Sequence, residues 1–147
     1  MFGENLAALA AGAPGRLLPR PLSYGPPPAN GGNAKKVTVL RIKHRGNYDP
    51  EPLAWTAAAA RLARDEKIDL RPCFIPVERI GNGRARLAVM TGTGAIELSG
   101  DELKALKKYI SGGGTLLVDA AGGCGEFYHS VSAALSAAFG KPAPISA

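Results

Sequence analysis

Downstream of residue 34 the apolar residues of the chain are arranged in two ways. Two short segments, Leu87 to Met90 and Thr115 to Val118, are almost unbroken apolar runs, and two more, Lys36 to Ile42 and Ile68 to Val77, are apolar stretches interrupted by polar residues or proline. Between and after them, apolar residues recur every three or four positions: Trp55, Ala59 and Leu62; Leu103, Leu106 and Ile110; Phe127, Val131, Leu135 and Phe139. Runs of this length suit strands covered on both faces, as parallel sheets require, and the spaced stripes suit helices with one buried side. The pattern predicts strand, helix, strand, strand, helix, strand, helix.

The unit from Arg86 to Gly125 is the best specified. Ser99 and Glu102 have the spacing of a capping box, in which each side chain satisfies a backbone donor near the other residue. Leu98 and Leu103 flank the cap as a hydrophobic staple. Lys104, Lys107 and Lys108 lie off the apolar stripe and toward the negative end of the helix dipole. Gly112, Gly113 and Gly114 end the helix, because glycine takes the left-handed conformation at little cost.

The first helix is predicted to open at Asp49 as N-cap with Pro50 at its first position, and to run to Asp65 or Glu66. Pro72 and Pro76 confine the second strand to an edge, and Glu78 to Arg84 reads as a loop around Gly81-Asn82-Gly83. The last helix spans Glu126 to Phe139 and is stopped by Gly140 and Pro142. Right-handed crossovers place helices on both faces of a mostly parallel sheet. The expected fold is a three-layer α/β domain with a flavodoxin-like strand order of 2-1-3-4. Ligands of such sheets bind beyond the strand carboxyl ends, where the first and third strands diverge. The segments His44 to Asp49 and Thr91 to Gly94 meet there, with Asp119 ending the fourth strand beside them.

Residues 1–34 follow a different pattern. Pro14, Pro19, Pro21 and the run Gly25-Pro26-Pro27-Pro28 precede Asn30-Gly31-Gly32-Asn33, a composition expected of a flexible linker or tail. The domain proper is expected over 35–147, and a tail of this composition suits the C-terminal module of a longer protein. The run Leu6 to Ala13 is too short to span a bilayer and follows Glu4 without a basic residue. Neither a signal peptide nor a transmembrane segment is therefore expected. That makes the chain soluble and cytoplasmic by default, or envelope-associated within a longer exported protein.

Composition changes this picture little. The formal net charge is +6, but Arg61, Arg64 and Lys67 alternate with Asp65, Glu66 and Asp69, and no basic helix or aromatic strand suggests nucleic acid as a partner. Cys73 and Cys124 lack metal-type spacing, and Cys73, inside a strand, reads as a buried small hydrophobe. Neither a metal nor a cofactor is expected.

Several pieces in order resemble a known family: Gly46-Asn47-Tyr48-Asp49-Pro50-Glu51-Pro52 with Trp55, Thr91-Gly92-Thr93, Leu98-Ser99, and Gly113-Gly114-Thr115-Leu116-Leu117-Val118-Asp119. They are similar to the bacterial domain of unknown function DUF4159, over about Lys35 to Gly140. The resemblance implies a class I glutamine amidotransferase-like fold and brings no established activity with it. Many members have a histidine where this chain has Thr93, and a second acid where it has Ala120. The Thr-Gly-Thr and Val-Asp-Ala-Ala-Gly-Gly forms resemble a planctomycete-type branch.

An amidotransferase needs a cysteine on a sharp strand-to-helix turn and a histidine base beside it. Thr93 occupies that turn without a base, so the catalytic candidates are Cys124 at a helix start, His44 and Asp119. His129, five residues after Cys124, is not on the same helical face. Gly92 and Gly94, and Gly122, Gly123 and Gly125, match neither phosphate-binding fingerprint and read as turns. Arg45, Asn47, Tyr48, Thr91, Gly92, Thr93 and Asp119 are the ligand-binding candidates, expected around one shallow polar depression. They point to a non-catalytic domain that binds a small polar ligand or a protein partner. The alternative is a hydrolase or transferase built on Cys124, His44 or Asp119.

Overall fold

The structure, a computed structural model, describes residues 34–82 and 85–140. The expected linker lies outside the described residues except for Ala34. Four strands form one parallel sheet: β1 (Lys35–Lys43), β2 (Ile68–Pro76), β3 (Leu87–Gly92) and β4 (Thr115–Ala120). Their order is β2-β1-β3-β4, as the sequence predicts. Three helices pack on it: α1 (Pro52–Asp65), α2 (Gly100–Ser111) and α3 (Gly125–Phe139).

Side chains alternate across a strand, so each strand feeds two layers. Leu40 and Ile42 of β1 and Ala88 and Met90 of β3 enter the main core, with Leu106 and Tyr109 of α2 and Phe127 and Val131 of α3. Val39 and Arg41 of β1 and Val89 and Thr91 of β3 have the opposite parity. They serve the face covered by α1, whose buried residues are Ala59 and Ala63. Alanines there let the helix approach the sheet closely. The result is a three-layer α/β fold of flavodoxin-like strand order.

The capping box of α2 is complete, with the Ser99 side chain accepting from the Glu102 amide and the Glu102 carboxylate accepting from the Ser99 amide. The buried stripe of α2 keeps Leu106 but takes Glu102 and Tyr109 in place of the predicted Leu103 and Ile110. Glu102, Leu106 and Tyr109 are buried, while Leu103 and Ile110 are half-buried. The cause is polar: the Glu102 carboxylate is used at the cap, and the Tyr109 hydroxyl donates to the Ala85 carbonyl at 3.0 Å.

Three local expectations are corrected. The helix α1 begins at Pro52, and Glu51, not Asp49, holds the N-cap position. A residue before proline is driven out of the helical region, and Glu51 has φ −130° and ψ 69°, so Pro52 sets the boundary. The stretch taken as a loop after β2 is a 3-10 helix, Val77–Asn82, because Val77 and Ile80 are drawn fully into the core. Cys73 is exposed. It lies on the edge strand β2, whose sheet neighbour is β1, while the strand that α2 and α3 both contact is β4 at the opposite edge.

Candidate functional site

The site begins with a charge inside the sheet. Arg41 follows Leu40 in β1 and is 8% exposed. Burying a guanidinium is costly unless it is paired and hydrogen-bonded. Arg41 meets that requirement with Asp49, whose carboxylate accepts from its Nη2, and with two aromatic rings. Its guanidinium carbon lies 4.3 Å from the ring centre of Phe74, its register partner in β2, and 5.1 Å from that of Trp55 in the first turn of α1. Both distances are within cation–π range.

Beside Arg41 a cavity of about 240 Å³ opens between α1 and the carboxyl ends of β3 and β4. Its apolar wall is Pro50, Ala54, Trp55, Ala58 and Val89, and its polar groups are Arg41, Glu51, Thr91 and Asp119. The Thr91 hydroxyl donates to Asp119 at 3.5 Å, long for a direct bond, which leaves both groups capacity for a ligand. Register explains the pairing, since Thr91 lies opposite Asp119 in the β3–β4 ladder.

A second polar group lies just beyond β3. Asn47 Nδ2 donates to the Thr93 hydroxyl at 3.1 Å, and the Cys124 thiol donates to the Thr93 carbonyl at 2.7 Å. The loop after β1, the turn after β3 and the start of α3 therefore converge at the switch point between β1 and β3. Gly92, the last residue of β3, is buried, and a side chain there would run into the ring of Phe127. Glycine is what lets α3 lie this close to the sheet end.

His44 is held in place by packing and by hydrogen bonds at both ring nitrogens. It is buried, accepts from the Gly46 amide at Nδ1 (3.1 Å) and packs on Phe127 with ring centres 5.6 Å apart. A nitrogen that accepts from an N–H carries no hydrogen, so Nε2 bears it and donates to the Thr91 carbonyl at 2.8 Å. Both ring nitrogens are thus engaged. Cys124, at the N-cap position of α3, uses its thiol on Thr93 and forms no hydrogen bond with His129 among the described residues.

The single depression expected from the sequence is two adjoining groups. Thr91 and Asp119 share the cavity, whereas Asn47 and Thr93 bond to each other beside it. Tyr48 packs edge-on against Phe74, at 5.6 Å, and against His44, at 6.2 Å, so much of its ring is explained by packing. Arg45 is exposed and forms no hydrogen bond or ion pair with these residues. Asp49, read as a helix cap, is instead the counter-ion of Arg41, which attracts a carboxylate more strongly than orphan amides do. Sequence reasoning missed Arg41 and Glu51, and it placed Trp55 in the core. The available signal was an arginine interrupting the apolar run of a central strand. Gly122 and Gly123, with φ of 66° and 72°, form the turn before α3. Among the described residues no three His, Cys, Asp or Glu side chains are grouped to hold a metal ion. None of the described helices is long and apolar enough to cross a membrane.

Residues 84–147 match the family described as "Domain of unknown function (DUF4159)". The DUF4159 match takes in β3, α2, β4 and α3, with Thr91, Thr93, Asp119 and Cys124; Arg41, Asp49 and Trp55 precede it. No curated protein matches the chain.

Proposed function

We propose that the chain carries a DUF4159 domain of the class I glutamine amidotransferase-like kind that binds a small polar ligand without turning it over. The observation that carries this reading is the cavity of about 240 Å³ at the carboxyl end of the sheet, where an apolar wall meets Arg41, Glu51, Thr91 and Asp119. A concave, mostly apolar site with a few converging polar groups at the switch point is what small-molecule binding calls for. The chemistry of catalysis is poorly supplied. Thr93 stands at the turn where an amidotransferase places its nucleophile, its hydroxyl accepts from Asn47, and both nitrogens of His44 are bonded elsewhere. The match over 84–147 supports the family assignment, and the motif around Asn47 and Trp55 supports its extension toward Lys35.

The test is a titration of the whole chain with small amines, carboxylates and alcohols, followed by the emission of Trp55, the chain's single tryptophan. A saturable change that Thr91→Val weakens is the expected outcome. Hydrolysis of amide or ester substrates that is lost in Cys124→Ser and in alkylated protein would replace the binding reading with an enzymatic one.

A further inference from the structure

We propose that this cavity takes a small organic cation, an ammonium or guanidinium group on a short apolar body; the proposal rests on the reading of the cavity as a ligand site. The charges around it are unequal. Arg41 is already paired with Asp49 and flanked by two rings, so its positive charge is satisfied within the fold. Two carboxylates are not. Glu51 occupies the N-cap position of α1, yet its side chain caps no helix amide. Asp119 has only the long contact from the Thr91 hydroxyl, and neither acid is in a salt bridge among the described residues. Three carboxylates, Asp49, Glu51 and Asp119, stand against the Arg41 guanidinium and the Lys43 ammonium, which lies 5.1 Å from the same Phe74 ring, so acids still outnumber bases here in a chain whose net charge is +6.

A concave site with apolar walls focuses such a field and raises the local concentration of cations. Trp55 adds an aromatic ring, whose quadrupole attracts cations and already faces the Arg41 guanidinium at 5.1 Å. Ala54, Ala58 and Val89 offer an apolar surface to the body of the ligand. An anion fits less well: it would compete with Asp49 for Arg41 while facing Glu51 and Asp119. The cavity volume of about 240 Å³ is below the range of roughly 300–1,000 Å³ typical of drug-sized ligands, so the cation is small.

Three probes of similar shape separate charge from shape: phenethylammonium, 2-phenylethanol and 3-phenylpropanoate, each titrated into the whole chain at neutral pH while Trp55 emission is recorded. Phenethylammonium is expected to bind at least about tenfold tighter than the alcohol, a difference of about 1.4 kcal/mol. The carboxylate should bind more weakly than the alcohol. Asp119→Asn should bring the ammonium probe down to the level of the alcohol, Glu51→Gln should weaken it partly, and added salt should weaken it in the native chain. Both acids are exposed, so neither variant threatens the fold, and circular dichroism verifies this. Equal affinity for ammonium and alcohol, or an ammonium response untouched by Asp119→Asn, overturns the cation proposal and leaves the site standing. Tightest binding of the carboxylate overturns it in favour of Arg41 as anchor. No saturable response to any probe in correctly folded protein overturns the cation proposal and the ligand-site reading together.

Discussion

At the scale of single residues, the candidate site is organised by the burial of Arg41. A guanidinium 8% exposed needs a counter-ion, and Asp49 supplies it across eight residues of chain. Removing that acid leaves buried donors without a partner. Asp49→Ala is therefore expected to cost about 1–3 kcal/mol in urea unfolding, the usual penalty for an unsatisfied buried group. A double-mutant cycle with Arg41→Ala should recover part of the loss, since removing both partners removes the orphaned charge. Gly92 is the second decisive residue. A methyl group there meets the Phe127 ring, so Gly92→Ala should destabilise by about 1–3 kcal/mol through overpacking. Denaturant midpoints measure both effects. Neither residue's role is legible from its own neighbourhood in sequence. Asp49 precedes a proline and looks like a cap, and the partner that overrides that local preference comes from the preceding strand.

At the scale of elements, α2 shows how far local signals reach. Its start and its stop follow from Ser99, Glu102 and Gly112 to Gly114, residues that act within one turn of the helix. Ser99→Ala is expected to lose about 0.5–2 kcal/mol of stability. Glu102→Ala should cost at least as much, because its buried carboxylate accepts from the Ser99 amide at 2.6 Å, and Glu102→Gln should recover most of the loss. Thermal or urea unfolding of the three variants checks the order. The face that α2 buries, by contrast, shares only Leu106 with its apolar stripe. Tyr109 is drawn inward by a carbonyl acceptor at Ala85, in the segment leading into β3, which no periodicity argument includes. The helix α1 makes the same point at its start, where the pre-proline restriction on Glu51 outweighed the capping preference of Asp49.

At the scale of the whole molecule, Tyr109 links the helical layer to the sheet and makes stability depend on alkaline pH. Burial raises its pKa above the ordinary tyrosine value, partly opposed by the nearby charge of Arg86. The folded chain then holds the phenolic proton to higher pH than the unfolded chain does. This contribution is fully present below about pH 10 and is lost as pH rises through the higher folded-state value. The native chain should accordingly lose stability more steeply than Tyr109→Phe above about pH 10, measured by urea unfolding across the range. At neutral pH the variant should be weaker by about 1 kcal/mol for the lost hydrogen bond to Ala85.

The sequence alone determined the number and order of the described strands and the three helices packed on them, the parallel sheet and its order, the edge position of β2 and the capping of α2. Each of these depends on apolar periodicity, on glycine and proline, or on contacts within a few residues, all of which can be read from the chain itself. The loop and turn that carry Asn47 and Thr93 were also placed together correctly, because strand order brings them to one switch point. Only the tertiary structure decided that Arg41 lies beneath the site, that Asp49 and not a helix amide is its partner, that Trp55 lines a cavity, and that Thr91 and Asp119 face it while Thr93 turns to Asn47 and Cys124. These outcomes depend on which charges end up buried beside which rings. Burial is a property of layers packed across the sheet, and local sequence does not specify the distances that set its electrostatic cost.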